Sequence, residues 1–449
     1  MKSISVIIPV HNSERYLREC LDSISLQALP DMEFLCIEDS STDQTREIIK
    51  EYKAKDGRFR MIIDPDSSYG HKINRGIEEA SGKYIGIVES DDKVDQDMFA
   101  TLFRYAEDNK ADYVKSDFKP FVTERKRDIH LQLHIVNTPS FYKTILDISA
   151  DPLFIVNVDI AIWTGIYNKS FLQRNQIRLT ESPGASYQDT GFFFFTSLYA
   201  QRAYFLDEAF YWYRTDNAAS STKDLNKAFA IIEEFKQIRE QLPEELNQVA
   251  KVLSALAVRK YIAYEWNLSR LEGELQEAFL EEIREELMRD WNDSNLDMSL
   301  LPADLKTFYD LVVADEKEAL LNYNERNRKE KTRSQEIATI LKSNKDVVLF
   351  GAGNVGRYFI LLAKTLQFPH ILALCDNNSK LWNTEIEGYS VISPAEAVAR
   401  YSKADFVVAA FKHTDEMSDQ LAGFGVPSNR VSICNAYANI YYILDYIKS

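Results

Sequence analysis

The sequence predicts an α/β protein, a first unit with a largely parallel sheet joined by a helical segment to a small doubly wound unit, and three observations predict it. Strand and helix signals alternate over residues 1–120 in the βαβ manner. Helical periodicity rich in Glu, Lys, Leu and Ala runs from about 223 to 335, and a second alternation begins at Asp346. At 449 residues the chain exceeds one comfortable core, so we expect a domain over 1–222, a helical connector over 223–335 and a smaller domain over 336–449.

Taken in order, Ile4 to Val10 reads as the first strand, followed by an amphipathic helix from Ser13, its expected N-cap, to Ile24. Phe34 to Ile37 is a second strand, running into a polar stretch from Glu38 to Asp43 and a helix to about Tyr52. Arg60 to Ile63 is the third, and a helix over Asn74 to Ala80 precedes the fourth, Tyr84 to Val88. That strand ends in Glu89, Asp91 and Asp92, at the carboxyl edge where open α/β sheets place their ligands. Such a cluster suits a hard divalent ion and a diphosphate, or else forms a solvated acidic turn that caps the next helix at Asp92. The aromatic runs Phe192 to Phe195 and Phe210 to Tyr213 read as core.

Composition narrows the classes. Hydrophobic content of 45% with 12% aromatics belongs to a globular chain, and a formal charge of -16 with a pI near 5.0 argues against sequence-independent nucleic-acid binding. Cys20, Cys36, Cys375 and Cys434 have neither metal-ligand nor disulfide-framework spacing, which fits a reducing cytoplasm. No apolar stretch approaches the roughly 20 residues of a membrane span, and the short apolar start stops at Pro9 without a cleavage signal.

Four motifs stand in one order: Val6 to Glu14, Glu38 to Asp43, Asn74 to Ile85, and Glu89 to Asp92. With these, residues 1–222 resemble the family 2 glycosyltransferases, inverting enzymes with the nucleotide-sugar-binding GT-A fold. Segments Ile162 to Phe171 and Tyr187 to Phe192 extend the resemblance. It implies that Pro9, Val10, His11, Asn12 and Glu14 line a base and ribose pocket, and that Asp39 takes a polar edge of uracil or ribose. It implies that Glu89, Ser90 and Asp91 form the family's Asp-x-Asp motif, with Asp91, and less directly Glu89, binding Mn²⁺ or Mg²⁺. Asp189 would be the general base or an N-cap of the Phe-rich helix. Trp163 would stack on the acceptor sugar or be core, and Arg214 would meet the diphosphate or form a surface salt bridge. The implied donor is a UDP-sugar, and the acceptor a glycan, a glycoprotein or a lipid-linked glycan.

The sequence departs from the family in three places. Ile73 stands where many members have arginine, leaving His71, Lys72 and Arg75 as cation candidates around Asn74. Glu89 is one methylene longer than the usual aspartate, and Asp216 and Asn217 replace a histidine often found after the Tyr-Arg pair. Further on, Gly351, Gly353 and Gly356 follow a strand and open a helix, with Asp376 about 25 residues on, in the manner of a Rossmann phosphate loop. With no Tyr-x-x-x-Lys pair and no evident hydride site, we expect this unit to serve assembly or regulation, joining subunits as a homo-oligomer, more than NAD(P) chemistry. A bifunctional enzyme using a cofactor, or a non-catalytic sugar-binding assembly partner, are the alternatives.

Overall fold

A computed structural model describes residues 2–65, 68–124, 127–130, 132–184, 186–217, 219, 224–343, 345–365, 368, 370–410 and 413–434. The chain divides into two compact units, residues 1–120 with 132–316, and residues 121–131 with 317–449. The sequence suggested three segments; here the helices up to residue 316 go with the first unit, and the last long helix goes with the second.

In the first unit the strands are β1 (Lys2–Val10), β2 (Met32–Glu38), β3 (Phe59–Ile63), β4 (Gly82–Ile87), β5 (Lys93–Val94), β6 (Tyr113–Glu124, whose last residues group with the second unit), β7 (Arg127–His130, also grouped there), β8 (Gly165–Asn168) and β9 (Ala203–Arg214). Their order is β3-β2-β1-β4-β8-β6-β9-β5. The register sets the site: Val10 pairs Glu38 and Ile7 pairs Ile87 in parallel, so β1, β2 and β4 end together. β8 then runs antiparallel to β4. β1 and β2 are buried almost throughout, which explains why they read as continuous apolar runs without alternation.

The helices are α1 (Leu17–Ser25), α2 (Thr45–Lys55), α3 (Tyr69–Glu79), α4 (Met98–Asn109), α5 (Lys169–Arg174), α6 (Gln188–Tyr199), α7 (Ala230–Gln241), α8 (Ala250–Leu268), α9 (Glu274–Trp291) and α10 (Ala303–Ala314). α1 starts at Leu17, four residues after Ser13, which caps nothing; its Oγ lies 2.8 Å from Ser90 Oγ. α3 starts earlier than the apolar pattern suggests because the Ser68 hydroxyl accepts the His71 N–H and caps it. α6 is apolar all round and its Phe192 to Phe195 run is buried, as a core helix must be. α7 packs on α6, and α8 packs on α7, α9 and the 3₁₀ turn Pro152–Asn157.

The second unit contains α11 (Glu316–Lys342), β10 (Val347–Phe350), α12 (Asn354–Thr365), β11 (Ile371–Cys375), β12 (Glu385–Ile386), β13 (Tyr389–Ile392), α13 (Pro394–Arg400), β14 (Asp405–Ala409), α14 (Thr414–Gly423) and β15 (Val431–Cys434). Strand order is β12-β13-β11-β10-β14-β15, parallel except for the β12–β13 hairpin. Apolar clusters cover both faces, one around Val347, Leu349 and Phe359, the other around Val348, Phe350 and Leu421. Among the described residues no helix is long and apolar enough to cross a membrane, and the four cysteines are buried free thiols.

Candidate active site

The loops that leave β1, β2 and β4 meet at one end of the sheet. Pro9 and Val10 are buried at the end of β1. His11 Nδ1 lies 2.8 Å from Asp39 Oδ1, and Lys72 Nζ lies 3.2 Å from the same oxygen, so three residues singled out from separate motifs form one cluster. Asp39 and Lys72 are both buried, which makes their pairing an obligation: either alone would be a charge without water. Asn12 joins the two loops by accepting the Thr42 N–H, while Glu14 accepts the Gln44 N–H at 2.9 Å on the exposed side.

Asn74 sits elsewhere. Its amide donates to the Leu179 carbonyl and accepts the Leu179 N–H, and it also donates to Glu181, so it clamps α3 to the segment ahead of α6. His71 bridges Asp64 and Glu181, and Arg75 pairs with Glu79.

The acidic turn is held from below. Asp92 is buried; it accepts the Tyr211 hydroxyl at 2.7 Å and the Arg214 N–H at 2.6 Å. The capping role is therefore not what this residue does, since α4 begins only at Met98. The Glu89 N–H donates to Tyr211 Oη, and Tyr69 donates its hydroxyl to Glu89 Oε1 at 2.6 Å. Arg214 is buried, lies 4.4 Å from the Tyr16 ring centre, donates to the Asp91 carbonyl and pairs with Glu19 and Asp216. It is thus no surface pair but a fixed cation under the turn. Asn217 donates to Asp91 Oδ2 at 2.8 Å, so the loop that lacks the expected histidine still reaches the motif.

These carboxylates are short of water. Burial pushes Glu89 up to about 8, with Asp91 and Asp189 adding repulsion and the Tyr69 hydroxyl and Lys72 opposing. Asp91 is also raised, first by burial, against the Asn217 hydrogen bond and the Arg214 charge. Among the described residues Glu89 Oε2 accepts no hydrogen bond, and Asp91 Oδ1 accepts none from another residue. Two desolvated, mutually repelling carboxylates with oxygens to spare are donors that a divalent cation would discharge, so the residues fit one. No cluster of three or more His, Cys, Asp or Glu suited to a metal occurs among the described residues. A cation here would therefore take its other ligands from phosphate and water, as Mg²⁺ commonly does.

Asp189 lies in the first turn of α6, and burial raises its carboxyl to about 6, opposed by backbone N–H groups of the helix start. Its charge is felt by Glu89, Tyr69 and Lys115, so it lies within electrostatic reach of the acidic turn. Trp163 is half-buried and packed: its ring is stacked at 5.1 Å and 8° on Tyr213, 4.3 Å from Tyr211 and edge-on to Phe118. It supports the tyrosine that holds Asp92. The motifs did not point to Tyr69, Lys115 or Glu234. Glu234 of α7 accepts the Thr180 hydroxyl at 2.7 Å, and burial raises it to about 7 with Asp189 contributing.

In the second unit a crevice of about 570 Å³ opens at the carboxyl ends of the strands, lined by Gly351, Gly353, Asp376, Asn377, His413 and Glu416 among others. Asp376 spends its oxygens on the Ala352 and Asn378 N–H groups, both at 2.8 Å. It braces the glycine loop.

Residues 5–164 match the family described as "Glycosyl transferase family 2". Bacillus subtilis EpsJ, an uncharacterized glycosyltransferase, is 30% identical over 223 residues, covering 49% of this chain and 63% of EpsJ. Staphylococcus aureus TarS, a poly(ribitol-phosphate) beta-N-acetylglucosaminyltransferase, is 25% identical over 253 residues, 55% of this chain and 41% of TarS. The matches thus span less than two thirds of each of these relatives. The crystal structure of TarS residues 1–349 with UDP-GlcNAc superposes with a TM-score of 0.54 at 20% identity, over 73% of this chain and 92% of that one. Sheet order and family match agree: residues 5–164 are a family 2 glycosyltransferase segment, and the first unit that contains them has the GT-A fold.

Proposed function

We propose that the first unit transfers one sugar from a UDP-sugar to a hydroxyl of a glycan, glycoprotein or lipid-linked glycan, with inversion. What supports this reading is Asp189 at the start of α6, a carboxyl raised to about 6 and within electrostatic reach of Glu89, which follows β4. At neutral pH such a group is ionised yet basic enough to take a proton. Asp189 removes the acceptor hydroxyl proton as the acceptor oxygen bonds the anomeric carbon. The bond from that carbon to the β-phosphate oxygen breaks on the opposite face, and its electron pair leaves with UDP.

The His11, Asp39 and Lys72 cluster binds the nucleoside. Arg214 fixes the backbone of the acidic turn and offsets its charge. Asp91 and Glu89 would hold Mn²⁺ or Mg²⁺, which when bound supplies charge neutralisation to the departing diphosphate. The test is a panel of UDP-sugars with and without Mn²⁺, scored for binding and then for transfer to candidate acceptors. Binding of no UDP-sugar under any condition would sink the reading.

A further inference from the structure

α8 lies outside the segment that matches the family, yet one of its faces meets α6, the helix that carries the candidate base. Arg259, Ile262, Ala263, Trp266 and, just past the helix end, Arg270 form its less buried stripe, whereas Val258, Tyr261, Tyr264 and Asn267 are buried. Arg259 and Trp266 are seven residues apart, hence on one side and about 10 Å apart along the axis. The Arg259 guanidinium lies 5.1 Å from the centre of the Phe193 ring, one helical turn beyond Asp189 on α6. Lys115 Nζ lies 5.3 Å from the same ring and donates to the Asp159 carbonyl.

Among the described residues Arg259 has no ion pair and no hydrogen bond. Asp159 acts on it only at longer range, and burial depresses its hold on the proton below the ordinary value. A partly buried guanidinium without an anion is costly to keep, and a ligand anion would relieve that cost. Further along the stripe Trp266 is 42% exposed, with the Arg270 guanidinium 4.0 Å from its ring centre. Tyr187, two residues before Asp189, meets it edge-on at 6.5 Å and accepts from Arg270 Nη2. An exposed indole backed by a cation is a stacking surface for a sugar ring.

We propose that this face of α8 is an acceptor subsite for an acidic chain, Arg259 taking a phosphate or carboxylate and Trp266 stacking a sugar ring. The inference rests on the transferase reading above and names its acceptor class. It accounts for a desolvated, unpaired arginine against the helix that carries the base and for a tryptophan left exposed two helical turns away.

The test uses the full chain with UDP and MnCl₂, titrated calorimetrically with three probes: a glycerol phosphate oligomer, a glucuronate-containing tetrasaccharide and neutral chitotetraose. At least one acidic probe should bind about tenfold or more tightly than the neutral one, and the two acidic arms separate phosphate from carboxylate. Arg259→Gln should weaken the acidic probe about tenfold, Arg259→Lys less, and Trp266→Ala should weaken every probe, while UDP affinity stays that of the wild type and serves as the folding control. Equal binding of neutral and acidic probes, an unchanged affinity in Arg259→Gln, or no acidic probe bound at millimolar concentration by a chain that binds UDP would overturn the subsite. A chain that binds no UDP overturns the transferase reading, and this subsite with it.

Discussion

The two units gather polar side chains at the same spot, the carboxyl ends of parallel strands flanking the first strand of the sheet, with opposite chemistry. In the first, Glu89, Asp91 and Asp189 are crowded and desolvated, with Lys72 and Arg214 buried beside them. In the second, Asp376 is spent on backbone N–H groups and His413 pairs with Glu416. Among the described residues no Lys or Arg lines that crevice. A shared topology therefore provides a location, and the side chains decide whether charge is stored there or neutralised.

That contrast can be broken at several points. The largest expected effect is Asp189→Asn, which should lower transfer by at least about 10²- to 10⁴-fold while leaving UDP-sugar binding nearly intact; retained turnover would remove the residue from the role of base. In the wild type, transfer should fall as pH drops through about 6, because the base must be ionised, and that limb should vanish in the variant. Asp91→Asn should remove the Mn²⁺ dependence of donor binding and cost about 10²-fold in rate, read by titrating the metal at fixed donor.

In the second unit the glycines differ among themselves. A Cβ at Gly356 would stand 2.0 Å from the Gly351 carbonyl oxygen, so Gly356→Ala should destabilise by about 3 kcal/mol or more in denaturant melts. A Cβ at Gly353 would meet nothing within 4 Å, so Gly353→Ala should stay within about 0.5 kcal/mol of wild type.

A smaller effect tests the stored charge. Glu89 is raised to about 8 in the folded chain, above its ordinary 4.5, so the folded state binds its proton more tightly than the unfolded one. Its contribution to stability is full below pH 4.5 and is lost as pH rises through about 8. Mn²⁺ binding near neutral pH should accordingly release about one proton, measured calorimetrically in buffers of different ionisation enthalpy. Glu89→Gln should abolish the release; an unchanged release would place the proton elsewhere.

Much of the first unit was legible because its strands are buried runs between polar strand ends, and those ends carry the candidate site. The apolar pattern could place β1, β2 and β4 to within a residue or two, but not the start of α3, which a single hydroxyl at Ser68 decides. Trp163 was ambiguous in sequence because an aromatic ring serves a core and a sugar equally well; its stacking on Tyr213 ties it to the support of the acidic turn. Asn217 had left a signal, standing where a histidine was expected, whereas Tyr69 and Arg259 had left none, because neither belongs to a motif.

The sequence by itself determined the alternation of elements, the family resemblance of residues 1–222 and the carboxylates at the end of β4, since each depends on neighbours along the chain. Only the tertiary structure decided which charges meet. Lys72 joins Asp39 across 33 positions, Arg214 reaches back to Glu19 across 195, and Arg259 arrives beside Phe193 from a helix 66 positions on. Electrostatic energy depends on distance and on exclusion of water, and neither quantity is written in the order of residues.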